Sequence, residues 1–200
     1  ILTEADLHLG EPHSSNYGYA YAKRIMEVQC RLYNETPGFQ YQCIIPTNIY
    51  GPHDNFNLED SHVIPGLIHK AYLHSLKDVN EPFRILGTGL PKRQFIYSND
   101  LAQIIINIVE GNLYEPLIIC STPETDETTI LEVAKLIAKE FNILKVEPTE
   151  KTNENDGQQI KTASPAKLLE IMPDFQFTSI EEGIQKTVQW FKDNYPNIRK

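Results

Sequence analysis

Residues 41–70 read YQCIIPTNIYGPHDNFNLEDSHVIPGLIHK, and the order of features in this stretch points to the fold. Cys43, Ile44 and Ile45 form a short apolar, partly β-branched run that stops at Pro46. A run of this kind, bounded by a residue with no N–H to give to a ladder, predicts a strand. From His62 to about Leu76 the pattern predicts a helix, with Pro65 in its first turn, where a missing N–H has no intrahelical partner to lose. Between strand and helix lies a loop, residues 46–62, rich in Gly, Pro and hydrogen-bonding side chains. A long loop just after a strand is a place where sites are built.

The rest of the chain repeats the alternation. Residues 3–18 are polar and read as a loop. Tyr19, Ala22, Ile25, Met26, Gln29 and Leu32 follow 3–4 spacing and predict a helix over 19–34, ended by Pro37-Gly38. Strands are predicted over 82–89 and 116–122, and a short one before a helix that starts near Asn99 or Asp100. Helices over 129–141 and 179–195 open with capping-box spacing, Thr129 to Glu132 and Ser179 to Glu182. Strands alternating with amphipathic helices define the α/β class. Gly87-Thr88-Gly89 follows a strand but runs into Pro91, Lys92 and Arg93 instead of a helix, so it is not a dinucleotide-binding turn.

Composition narrows the function. The 200 residues are 40% hydrophobic and 22% charged, with a net charge of −9. That balance argues against a general nucleic-acid binder. No apolar run approaches the ~18 residues of a membrane span. Cys30, Cys43 and Cys120 show no CxxC or metal-ligand spacing, so no metal site is expected and a reduced, cytoplasmic setting fits. Cys30 falls on the first helix; Cys43 and Cys120 read as buried strand residues. The chain opens on Ile1 and reads as a piece of a longer protein.

Residues 17–24, YGYAYAKR, set three tyrosines beside one lysine. Residues four apart share a helix face, so Tyr19 and Lys23 are neighbours, Tyr21 points elsewhere, and Tyr17 precedes the helix. A tyrosine titrates near pH 10, and a nearby ammonium favours its phenolate. Such a pair suits proton exchange with a carbonyl or alcohol oxygen. The lysine can also donate to a ribose hydroxyl.

SNYGYAYAKRIMEVQCRLY, IIPTNIYGPHDNF, SHVIPGLIHK and PKRQFIYSNDLAQ, in this order, resemble the extended short-chain dehydrogenase/reductase superfamily, and within it the GDP-L-fucose synthase family. The likeness runs from about Thr3 to Tyr195 and corresponds to roughly the carboxyl-terminal 60% of such enzymes. It implies a Rossmann-like doubly wound sheet with a smaller α/β substrate-binding domain: residues 1–80 would belong mainly to the first and 81–200 mainly to the second. It also implies a cytoplasmic homodimer that uses NADP(H) to convert GDP-4-keto-6-deoxy-D-mannose to GDP-L-fucose by 3,5-epimerisation and 4-reduction. Another nucleotide-sugar epimerase or dehydratase, or a non-catalytic binding or dimerisation fragment, is the alternative. The family's glycine-rich turn, and its site serine and cysteine, would lie before Ile1; this piece alone would then be inactive.

The resemblance assigns roles residue by residue. Tyr19 and Lys23 match the proton-donating pair, with Lys23 also on the nicotinamide ribose. His62 matches the acid of the epimerisation and lies by the cofactor; on its own it reads as a loop or capping histidine. Pro46, Thr47, Asn48 and Ile49 would line the nicotinamide, with Asn48 also near the sugar. Arg93 matches a substrate arginine, and arginine suits a diphosphate because it binds bidentately. Lys70, Asp156 and Lys161 match further substrate positions. Leu86 stands where the family commonly has tryptophan, which removes an indole N–H and much flat surface.

Overall fold

The computed structural model describes residues 1–77, 81–149, 156 and 158–200. Six helices and eight short strands alternate along them. In chain order they are α1 (Tyr17–Asn34), β1 (Cys43–Pro46), β2 (Asn48–Tyr50), α2 (Val63–Ser75), β3 (Phe83–Ile85), β4 (Lys92–Arg93), β5 (Phe95–Tyr97), α3 (Ser98–Glu110), β6 (Leu117–Cys120), β7 (Thr128–Thr129), α4 (Ile130–Glu140), β8 (Val146–Pro148), α5 (Ala166–Ile171) and α6 (Ile180–Asn194). Three strand pairs are parallel, β1 with β6, β2 with β5 and β3 with β8; β4 and β7 run antiparallel. Parallel pairing needs a crossover, and helices supply it, so the α/β expectation holds.

Local chemistry explains several boundaries. Thr129 caps α4: its Oγ1 accepts from the Glu132 N–H at 3.1 Å, while the Glu132 carboxylate accepts from the Thr129 N–H at 2.9 Å. This is the reciprocal box that the spacing predicts, and the Thr129 donors hold the Glu132 carboxyl below its usual range. Ser179 caps α6 by accepting from the Glu182 N–H at 3.2 Å, but only this half of the expected box forms, because the Glu182 carboxylate pairs with Lys186 at 2.8 Å.

Elsewhere tertiary structure overrides the sequence reading. α1 starts at Tyr17, not Tyr19, because a 3₁₀ turn over Ser14–Asn16 runs straight into it. Tyr17 therefore has a fixed place, edge-on to Tyr21 with ring centroids 4.7 Å apart. α3 starts at Ser98 with Tyr97 at its cap. Asp100 does not cap it, because its carboxylate accepts instead from the Thr178 N–H and hydroxyl, both at 2.7 Å. The strand predicted over 82–89 stops at Ile85, because Gly87 and Gly89 take the left-handed values φ 75° and 72°, which end extended structure. The loop predicted over 46–62 contains β2, whose pairing with β5 no local pattern signals. Cys43 is half-buried, not buried, while Cys120 is fully enclosed and its thiol is pushed up to about 12 by burial.

Two apolar cores result. The larger joins Tyr50, Phe56, Ile68, Ile137, Ile184 and Phe191, and so draws on α2, α4 and α6 together. The smaller packs Ile104 and Ile108 of α3 against Ile118 of β6 and Leu168 of α5. α1 belongs to neither: its one buried residue is Glu27, beside His8 at 2.5 Å. Ile25, Met26 and Leu32, on the face the spacing marked as apolar, are 56%, 53% and 56% exposed.

Gly183 marks the tightest approach in the larger core. A Cβ there would lie 1.9 Å from the Tyr50 hydroxyl and 2.8 Å from its ring carbon, and Tyr50 is 1% exposed. Gly183→Ala is expected to cost about 1–3 kcal/mol in urea unfolding, the usual penalty of overpacking. Adding Tyr50→Phe should recover part of it by removing the atom in closest contact; no recovery would place the strain elsewhere.

Candidate functional site

The site is built where the chain changes strand partner. β1 runs parallel to β6, and the ladder continues to Thr47, whose N–H donates to the Cys120 carbonyl at 3.0 Å. One residue later, Asn48 donates to the Gln94 carbonyl from its backbone N–H at 3.4 Å and from its side-chain Nδ2 at 2.8 Å. From there β2 follows β5. The carboxyl ends of parallel strands at a change of partner form the crevice in which open α/β sheets bind ligands. Two buried hydroxyls at these strand ends, Thr47 Oγ1 and Thr122 Oγ1, make no hydrogen bond to the described residues. An unpaired polar atom in such a place suits a ligand donor or acceptor, because leaving it desolvated and unpaired is unfavourable. Pro46 and Thr47 are half-buried, and Asn48 and Ile49 are exposed.

Tyr19 and Lys23 share one face of α1, as the spacing predicts. The Lys23 ammonium lies 5.5 Å from the centre of the Tyr19 ring, and both side chains are exposed. Among the described residues Lys23 forms no ion pair. Tyr21 is engaged differently, since its hydrogen bond with Tyr17 pushes its phenol up. Tyr19 is thus the tyrosine beside Lys23, while Tyr21 has the Arg24 guanidinium 5.9 Å from its ring centre.

α2 carries the next two residues. His62 is exposed at its N-cap, where its carbonyl accepts from the Gly66 N–H at 3.0 Å and its ring makes no capping bond. Lys70 is exposed near the middle of the helix. The helix is tied to the preceding loop by buried His69, whose Nδ1 lies 2.7 Å from the Phe56 carbonyl. A carbonyl only accepts, so Nδ1 carries the proton. In that loop, burial raises the Asp54 carboxyl, opposed by the Asn55 N–H and by the nearby His62 and Arg199. No hydrogen bond or ion pair among the described residues joins His62 to Tyr19 or Lys23.

The remaining candidates are Leu86, Arg93, Asp156 and Lys161, of which Asp156 is bonded to the turn 86–90. Leu86 is 75% exposed. Arg93 is half-buried on β4, and Lys161 is exposed. Asp156 is fastened to the turn: its carboxylate accepts from the Thr88 N–H at 3.0 Å and from the Thr88 hydroxyl, and Thr88 Oγ1 in turn accepts from the Leu90 N–H at 3.1 Å. These bonds, the hydroxyl's first, hold the Asp156 carboxyl below its usual range. Sequence reasoning did not single out Thr88 as a partner, nor Gln94, which stands 0% exposed beside Arg93. A polar residue at a strand start carries no local mark of burial.

Because its folded pKa is depressed, the Asp156–Thr88 contact stabilises the fold above the ordinary carboxyl pKa and is lost as pH falls through the folded value. Thr88→Val removes the hydroxyl donor. The Asp156 carboxyl, followed by carbon NMR, should then titrate at higher pH; an unchanged midpoint would remove the hydroxyl as the cause.

The model of the NAD dependent epimerase/dehydratase family matches residues 3–116, more than half of the chain. The chain is 50% identical over 203 residues to a GDP-L-fucose synthase of Dictyostelium discoideum, covering all of this chain and 61% of that protein. It is 43% identical to a probable GDP-L-fucose synthase of Drosophila melanogaster, covering 63% of it. Among solved structures it is similar to a GDP-L-fucose synthetase from Naegleria fowleri bound to NADP, with TM-score 0.91, 41% identity and 60% of that chain covered. The chain thus spans about three-fifths of the length of the relatives it matches. The strand–helix alternation agrees with this likeness, and the chain belongs to the NAD dependent epimerase/dehydratase family, with its Rossmann-like α/β fold.

Proposed function

We propose that the protein carrying this chain converts GDP-4-keto-6-deoxy-D-mannose to GDP-L-fucose by 3,5-epimerisation followed by 4-reduction. The observation that carries this reading is the Tyr19–Lys23 face of α1, in a chain half identical over its whole length to a GDP-L-fucose synthase.

The 4-keto group acidifies the hydrogens at C3 and C5 of the sugar. In the epimerisation the cysteine base of the family's pattern takes the proton from C3 or C5 to leave an enol, and His62, at the exposed start of α2, gives a proton to the same carbon on the opposite face. In the reduction Tyr19 gives its proton to the C4 oxygen as that oxygen gains charge. The Lys23 ammonium stabilises the phenolate that remains and reaches the nicotinamide ribose. NADP(H), when bound, supplies the reducing equivalent. The residues fit it: Thr47 Oγ1 is buried and unpaired at the crevice, Pro46 to Ile49 form the crevice wall, and Lys23 is without an ion pair among the described residues. Asn48 faces the sugar from the same wall. Arg93 and Lys70 serve the diphosphate end of the substrate, and Lys161 adds a further cation. Asp156, already bonded to Thr88, acts with it on the turn that presents Leu86. Residues 1–80 contribute mainly to the dinucleotide side and 81–200 mainly to the substrate side.

The working unit is a cytoplasmic homodimer. The exposed apolar side chains Ile25, Met26 and Leu32 of α1 support burial of this face, and three cysteines without a disulfide suit a reducing compartment. No helix among the described residues is long and apolar enough to cross a membrane.

Two substitutions in the full-length protein test the reading. Tyr19→Phe should lower NADPH oxidation with the 4-keto sugar nucleotide by about 10²–10⁴-fold, the range of a general acid. His62→Ala should abolish solvent deuterium uptake at C3 and C5 in a protein that still folds and binds NADPH. Normal deuterium uptake in that variant would exclude the epimerising role of His62, and no uptake at C3 and C5 by the unaltered protein would favour a 4-epimerase.

A further inference from the structure

We propose that Gln94 is a positioning residue whose side-chain amide sets the sugar-nucleotide side of the site. Its side chain is 0% exposed and almost fully hydrogen-bonded. Nε2 donates to the Thr122 carbonyl at 2.7 Å and to the Ala163 carbonyl at 2.9 Å, and Oε1 accepts from the Ala163 N–H at 2.7 Å. Both amide hydrogens are used, and the amide meets Ala163 on both its N–H and its C=O, as a neighbouring strand would.

Three separate stretches of chain converge on this one group. Gln94 itself links β4 to β5 and follows Arg93 directly. Thr122 lies just beyond the end of β6. Ala163 stands two residues after Lys161, in a segment whose other edge is held by Leu2, through its N–H to the Thr162 carbonyl and the Ser164 N–H to its own carbonyl, both at 2.8 Å. The backbone carbonyl of Gln94 also takes both donors of Asn48. Arg93, Lys161 and Asn48 are therefore spaced from one another through a single buried residue that is itself out of reach of solvent.

The chemistry of the side chain matters as much as its place. Two carbonyls and one N–H face it, and a primary amide offers two donors and one acceptor in one plane. A leucine would fill the space, leave the Ala163 N–H unpaired, and leave the two carbonyls only the single Ser121 hydroxyl, which lies 3.2 Å from one and 3.1 Å from the other. A carboxylate would keep the Ala163 N–H and set its charge against the two carbonyls. Buried polar groups of this kind specify one arrangement because leaving them unpaired is costly. The inference rests on the proposed reading of Arg93, Lys161 and Asn48 as sugar-nucleotide residues.

The test uses the full-length protein with GDP and NADPH as separate probes, and Gln94→Leu and Gln94→Glu as variants. Gln94→Leu should weaken GDP at least tenfold in calorimetry, keep NADPH within twofold, and speed hydrogen exchange at the Ala163 amide. Gln94→Glu should weaken GDP as well but keep the Ala163 amide protected, and it serves alone if the leucine variant does not fold. Unchanged GDP affinity in a folded variant overturns the proposal. Equal loss of GDP and NADPH reduces Gln94 to a general structural part and also overturns it. A wild-type protein that binds no GDP fails before any substitution is made, and overturns the sugar-nucleotide reading together with this inference.

Discussion

Two consecutive backbone N–H groups, those of Thr47 and Asn48, donate to different strands: one to Cys120, the next to Gln94. The chain cannot stay in register with both, so it parts from β6 and joins β5 within a single peptide. The strand ends β1 and β6 fall on one side of that parting and β2 and β5 on the other, the kind of place where open α/β sheets bind ligands. The rest of the structure serves this change of partner. α2 follows the loop that leaves β2, α3 connects β5 back to β6, and the segment around Ala163 closes behind Gln94.

Buried polar groups hold these pieces, while apolar packing supplies the bulk of the driving force. Asp100 fastens the chain before α6 to the start of α3. His69 fastens the Phe56 loop to α2. Gln94 fastens three segments at once. Each pairs a side chain with backbone groups far away in sequence, where no repeating ladder is available. Hydrophobic contact is non-directional and tolerates small shifts; a paired amide or carboxylate in a low-dielectric interior does not. That difference explains why polar side chains stand at the joints of the site and apolar ones fill the two cores.

The sequence reading of the site was closest where geometry is local. Tyr19 and Lys23 are four residues apart on one helix, and helical spacing alone puts them together. The Thr129–Glu132 box is likewise a contact within one turn. Tyr17 was misplaced because a 3₁₀ turn feeding the helix leaves little trace in composition. Asp100 looked like a cap because aspartate often is one; the distant Thr178 claimed its carboxylate instead. β2 was hidden in a loop because three residues carry too weak a pattern, and its partner is 47 positions away in register, Asn48 opposite Phe95.

By itself the sequence determined the alternation of strands and helices, the helix starts capped within one turn, the face shared by Tyr19 and Lys23, and the likeness to a family of sugar-nucleotide enzymes. These rest on spacings of two to four residues and on motifs contiguous in the chain. Only the tertiary structure decided where the strand changes partner, that Asp156 spends its carboxylate on Thr88, and that Gln94 is the buried joint of the site. The reason is physical: these outcomes depend on which donor and acceptor, separated by dozens of residues, meet once water is excluded, and burial is a property of the folded chain that no short stretch of sequence contains.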